Sequence, residues 1–143
     1  MRKIVPLLGA LIATLTFCLV PVGSASAFGA EQLECRIVSG PIVPAFAPGE
    51  CFPNNPAGSY SVSFEVFNGT GSYTYTWTVP SGFSGYAGCG STDPGCAFSV
   101  GATRADKLIN ASVVVHQGGS SETLTAQADV PATCPFPPNF AFC

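Results

Sequence analysis

The sequence predicts an all-β protein: an antiparallel β-sandwich of six to seven strands, stabilised by disulfides and preceded by a cleaved signal helix. Three observations carry this expectation. Past residue 27 no window keeps apolar residues at i, i+3, i+4 and i+7, and Gly or Pro interrupts nearly every candidate helix. Several segments instead alternate apolar and polar residues with a period of two. Once the signal is removed, six cysteines remain, an even set in a short chain.

The first 27 residues have the three parts of a secretory signal. Arg2 and Lys3 supply the charged start, an apolar run extends from Ile4 to Val22, and Ala25-Ser26-Ala27 is a small-x-small exit. The run is close to the ~20 residues that span a bilayer. It contains Pro6 and Pro21, however, and ends in a cleavage site rather than in basic stop-transfer residues. Cleavage after Ala27 is the expectation. Cys18 does not make a lipid-attachment site, because the bulky Phe17 stands where a small residue is required. The product is therefore expected outside the cell, secreted and with no membrane attachment after the signal is removed.

Residues 28–143 are one domain by size. Three basic residues, Arg36, Arg104 and Lys107, stand against eight acidic ones. A nucleic-acid or anionic-membrane surface needs clustered Lys and Arg, which three scattered cations do not provide. Abundant Val, Thr, Phe and Tyr exclude a disordered chain.

Cys35, Cys51, Cys89, Cys96, Cys134 and Cys143 read as three disulfides rather than a zinc site. Zinc needs tight Cys-x-x-Cys pairs or several histidines, and the chain has one His. Sequential pairing is favoured. Asp93-Pro94-Gly95 is good turn chemistry and would bring Cys89 and Cys96 face to face. Cys35 with Cys51 would close a Pro-rich loop, and Cys134 with Cys143 would tie back the tail. The alternative links Cys35 or Cys51 to Cys134 across the fold.

Along the chain, Leu33–Val38 reads as a first strand, and five prolines then exclude regular structure until about Gly58. Ser59–Phe67 places Tyr60, Val62, Phe64 and Val66 on one face. After the turn Asn68–Gly71, Ser72–Val79 places Tyr73, Tyr75, Trp77 and Val79 on one face. These two segments read as a β-hairpin. Residues 80–88 read as loop and Cys96–Val100 as a short strand. Lys107–His116 and Glu122–Val130 read as a second hairpin around Gly118-Gly119. Residues 28–133 are thus expected to form the sandwich, and 134–143 an irregular Pro- and Phe-rich tail closed by a disulfide.

The stretch Phe67-Asn68-Gly69-Thr70-Gly71-Ser72-Tyr73-Thr74-Tyr75-Thr76-Trp77 resembles the hairpin of polycystic-kidney-disease (PKD) type repeats. It shares their Gly-rich turn followed by Tyr-x-Tyr-x-Trp. The closing hairpin, Ile109 to Val130, is similar to the last two strands of such domains. The likeness covers about half of the exported chain. After the Trp, Thr78-Val79-Pro80-Ser81-Gly82 replaces the usual Asp- and Gly-containing turn. The resemblance implies an immunoglobulin-like sandwich with Trp77 buried between sheets. It also implies a spacer or a module that binds proteins or glycans, which is fold-level analogy.

Catalytic candidates are sparse. His116 is the only histidine and reads as a solvated strand-end residue, and the nearby Ser120, Ser121 and Glu122 as ordinary turn residues. Asp93, Asp106, Glu122 and Asp129 show no spacing that pairs two carboxylates or gathers the oxygens calcium needs. No catalytic residue, metal or cofactor is expected. Asn68-Gly69-Thr70 and Asn110-Ala111-Ser112 match the N-glycosylation pattern, which chance explains equally well. Tyr73, Tyr75 and Trp77 are either core or, if exposed, a platform for stacking sugars. Phe136, Phe140 and Phe142, with Phe46 and Phe52, either cover the sandwich edge or form an apolar patch that contacts a partner. The expected function is a monomeric, non-enzymatic binding or structural module with a protein or cell-surface glycan as partner. A carbohydrate-binding module using surface aromatics and a small secreted inhibitor are the alternatives.

Overall fold

A computed structural model describes residues 29–143. The signal helix and the cleavage point after Ala27 lie outside the described residues. Eleven strands and no helix occur among those described. In chain order they are β1 (Gln32–Val38), β2 (Ala47–Pro48), β3 (Glu50–Cys51), β4 (Ser59–Phe67), β5 (Thr74–Thr78), β6 (Ser84–Gly88), β7 (Gly95–Gly101), β8 (Lys107–Gln117), β9 (Ser120–Val130), β10 (Thr133–Phe136) and β11 (Asn139–Phe142).

The strands form a five-stranded sheet of order β2-β1-β4-β7-β6, a four-stranded sheet of order β3-β9-β8-β5, and the two-stranded ribbon β10-β11. All pairings are antiparallel except β3 with β9, which is parallel. One apolar cluster joins the two larger sheets in a sandwich-like arrangement. The five-stranded sheet contributes Cys35, Ile37, Tyr60, Val62, Phe64, Phe98 and Val100. The other contributes Ile109, Val113, Val115, Leu124, Ala128 and Val130. These are the residues that alternation turns to one face, and each large side chain so buried stabilises by about 1.5–3 kcal/mol.

The disulfides are Cys35–Cys51, Cys89–Cys96 and Cys134–Cys143, the sequential pattern. The first bridges the sheets, since Cys35 lies on β1 and Cys51 on β3. Three disulfides in a small all-β fold are typical of extracellular proteins.

Four sequence expectations need correction. The hairpin expected from Ser59–Phe67 and Ser72–Val79 does not form. β4 lies between β1 and β7, whereas β5 pairs with β8 in the other sheet. The turn Asn68–Gly71 carries the chain across the core, with Asn68 and Gly71 at positive φ. Both strands turn apolar residues to the same core from opposite sides. Period two reports which residues face inward and is silent on which sheet holds them.

Residues 80–88 are not all loop. β6 is an edge strand with every residue exposed and a register shift against β7 between Ser84 and Ala87. Its sequence, Ser84-Gly85-Tyr86-Ala87-Gly88, carries no apolar alternation, so backbone pairing and the packing of Tyr86 on Phe98 at 5.3 Å define it. The Pro-rich stretch before Gly58 contains two two-residue strands, β2 and β3.

The tail is not irregular either. β10 and β11 pair from Thr133↔Phe142 to Phe136↔Asn139. Pro135 is tolerated because the ribbon has no further strand to receive a backbone donor.

Candidate functional site

The C-terminal ribbon is fastened to one end of the sandwich at several points. Thr133 N–H donates to Thr103 O at 2.7 Å, and Cys143 N–H donates to Ala132 O at 2.9 Å. Asp106 Oδ1 accepts from Ala132 N–H at 2.7 Å. Tyr60, almost fully buried, places its hydroxyl 2.7 Å from Thr133 Oγ1. The Thr133 hydroxyl donates in turn to Pro131 O, and Tyr60 Oη accepts from Ala57 N–H. The Phe140 ring lies over Gly58, where an added Cβ would come within 2.9 Å of it.

This anchoring holds the expected partner-contact residues outward. Phe136 is 67% exposed, Phe142 43% and Phe140 41%. Phe136 stands at the ribbon's turn, and Phe140 is opposite Pro135. The Cys134–Cys143 bridge closes the ribbon at its base. By register Phe140 and Phe142 share one face of this covalently closed ribbon and Phe136 stands on the other, so exposed rings are held preordered on both faces, which lowers the ordering cost of an encounter. Phe52 is also exposed, just after β3. Phe46 is engaged elsewhere: it packs against Phe67 at 5.1 Å, with the Arg36 guanidinium 4.3 Å above its ring.

The aromatic strand face is not an open platform. Tyr73, Tyr75 and Trp77 are half-buried and pack against the core, leaving Thr74, Thr76 and Thr78 on the exposed face. Trp77 Nε1–H donates to Asp93 O at 3.0 Å, and Tyr75 N–H donates to Ser91 O at 2.9 Å. The loop closed by Cys89–Cys96 thus covers the outer edge of β5. The same loop reaches the other sheet, where Pro94 O accepts from Val66 N–H at 2.9 Å.

Tyr73 donates to Glu31 Oε1 at 2.6 Å and accepts from Thr70 N–H at 2.9 Å. Glu31 is buried, and its second oxygen accepts from Gly29 N–H at 2.7 Å. The Tyr73 hydroxyl first, then the Gly29 amide, hold the Glu31 carboxyl below its ordinary range. The carboxylate in turn raises Tyr73. This pair anchors the start of β1 to the β4–β5 crossing. Sequence reasoning did not single out Glu31.

His116 is exposed, with Nε2 3.3 Å from Thr76 Oγ1. Ser121 lies opposite it in the β8–β9 register, yet the hydrogen bond goes to Thr76. Asp93 Oδ2 accepts from Gly90 N–H at 2.9 Å and, like Asp106, serves the backbone. Among the described residues no group of three or more His, Cys, Asp or Glu could hold a metal, and no helix is long and apolar enough to cross a membrane.

No protein-family model, curated protein or solved structure matches the chain.

Proposed function

We propose that the chain is a secreted, non-enzymatic immunoglobulin-like module that binds a protein partner at or outside the cell surface. The observation that carries this reading is the trio Phe136, Phe140 and Phe142, held exposed on a disulfide-closed ribbon. Exposed rings on a fixed support are common anchors of protein interfaces, and a partner gripping this ribbon would meet Phe140 and Phe142 on one face and Phe136 on the other.

Strand order supports the immunoglobulin-like reading. The order β1-β4-β7-β6 opposite β9-β8-β5 corresponds to strands A-B-E-D opposite G-F-C of that architecture. Trp77 then stands on the third long strand, as in those domains and in the PKD-type repeats that Tyr73-Thr74-Tyr75-Thr76-Trp77 resembles. The cysteines depart from the antibody pattern, because none joins β4 to β8.

The test compares the exported protein with the double variant F136S/F142S, after matching their near-ultraviolet circular dichroism. Native protein should be retained on washed host cells or by one defined secreted partner, and the variant should be retained at least about tenfold less. Equal retention of the two would overturn the reading.

A further inference from the structure

The outward face of the four-stranded sheet carries polar groups that nothing in the protein uses. Its register sets three rows across β5, β8 and β9: Thr74–His116–Ser121, Thr76–Val114–Thr123 and Thr78–Ser112–Thr125. Beyond them Asn110 lies opposite Gln127. Thr78, Asn110 and Thr125 are exposed and Ser112 is half-exposed. Among the described residues none of these four side chains makes a hydrogen bond within the protein, whereas neighbouring Gln127 is spent on Glu50 and His116 on Thr76.

Those four side chains line the rim of a depression of about 490 Å³, with Gly49 at one edge. A second depression, of about 420 Å³, opens on the same strands around Thr74, His116 and Ser121. Four residues of extended chain, roughly 14 Å, separate Thr74 from Thr78. The hydroxyls of Thr76 and Thr123 lie between the two hollows.

We infer that this face is a binding site for a neutral polysaccharide strand, independent of the phenylalanine ribbon. The first depression has no ionisable lining side chain, so it has no charge with which to favour a phosphate, a carboxylate or a cation over a neutral ligand. Hydroxyls and a primary amide both donate and accept, matching sugar hydroxyls that do the same. Two hollows joined by a strip in which Thr123, unpartnered among the described residues, offers its hydroxyl beside Val114 suit a chain of several sugars lying along the strands better than a single small ligand. Ala111 and Ala126 turn their side chains into the core and present only backbone to the hollow, and Gly49 adds no side chain at its edge, so the floor is open to a ring edge. With no exposed aromatic ring in the lining, affinity is modest and rests on hydrogen bonds.

Affinity electrophoresis of the exported protein through gels containing neutral polymers (dextran, galactomannan, mixed-linkage β-glucan) or polygalacturonate tests this. At least one neutral polymer should retard the protein, equally at 50 and 500 mM NaCl. N110A and T125V, each checked by near-ultraviolet circular dichroism, should weaken that retardation about fivefold to tenfold, one or two hydrogen bonds lost. F136S/F142S should leave it unchanged, which separates this site from the proposed protein contact. Indifference to every neutral polymer, salt-sensitive retardation by polygalacturonate alone, or undiminished binding by both N110A and T125V overturns the inference.

Discussion

The Tyr60 hydroxyl lies 2.7 Å from Thr133 Oγ1, in a buried contact between the second long strand and the first residue of the C-terminal ribbon. Tyr60 also accepts from Ala57 N–H, so one phenol joins the loop before β4 to the tail. Y60F strips a partner from both groups in a water-poor site. It should cost about 1–3 kcal/mol in urea unfolding. The exposed Tyr86, whose hydroxyl donates to Pro80 O at the surface, provides the contrast: Y86F should cost well under half as much.

Glu31 makes stability depend on pH in a defined direction. Its carboxyl is held below the ordinary range in the folded state. The stabilisation is therefore complete above the unfolded-state value and is lost as pH falls through the lower folded value. Unfolding free energies of native protein and E31Q, measured from pH 7 to pH 2, should differ most near neutrality. The gap should close below about pH 4. Tyr73 runs oppositely: raised in the folded state, it contributes below the ordinary tyrosine value, and the contribution disappears as pH rises through the raised one.

Opening the loop closed by Cys89–Cys96 should loosen both sheets, because that loop bonds to Tyr75, Trp77 and Val66. The C89S/C96S pair should lose about 2 kcal/mol from the freed unfolded chain. Trp77 emission should also move to longer wavelength as its indole loses Asp93 O. An unchanged emission maximum would show that the loop's backbone bonds persist without the bridge.

The β8–β9 hairpin turns on Gly118 and Gly119, at φ +56° and +89°. This is a two-residue turn with both φ values positive, a geometry that matches strand twist and disfavours residues with a Cβ. No atom would obstruct a Cβ at either position, so the effect of G119A isolates backbone strain. It should cost about 1 kcal/mol, read from a lowered thermal midpoint.

Local pattern made much of this fold legible. β4, β8 and β9 follow strict alternation, and their inward residues are the buried ones. The Asp93-Pro94-Gly95 turn indicated the Cys89–Cys96 pair, because turn chemistry acts within the loop itself. Sheet membership was not legible, since β4 and β5 show the same periodicity on opposite sides of one core. β6 escaped because an exposed edge strand with one aromatic, Tyr86, among Gly, Ser and Ala shows no alternation. Phe136, Phe140 and Phe142 attracted notice as apolar residues outside any alternating run. The uncharged rim around Asn110 did not, because an outward Thr or Ser says nothing about its neighbours until register aligns them.

The Cys35–Cys51 bridge bears on how the domain would respond to traction. It fixes the first strand to the opposite sheet across a separation of sixteen residues. At roughly 3.4 Å per residue, that withholds about 50 Å of slack from a chain pulled by its ends. The loops closed by the other two bridges are likewise inextensible. Among the described residues lengthening under load is confined to 29–34, 52–88 and 97–133, so the load bypasses the Pro-rich loop after Cys35 and the phenylalanine ribbon, which keep their shape while the middle extends.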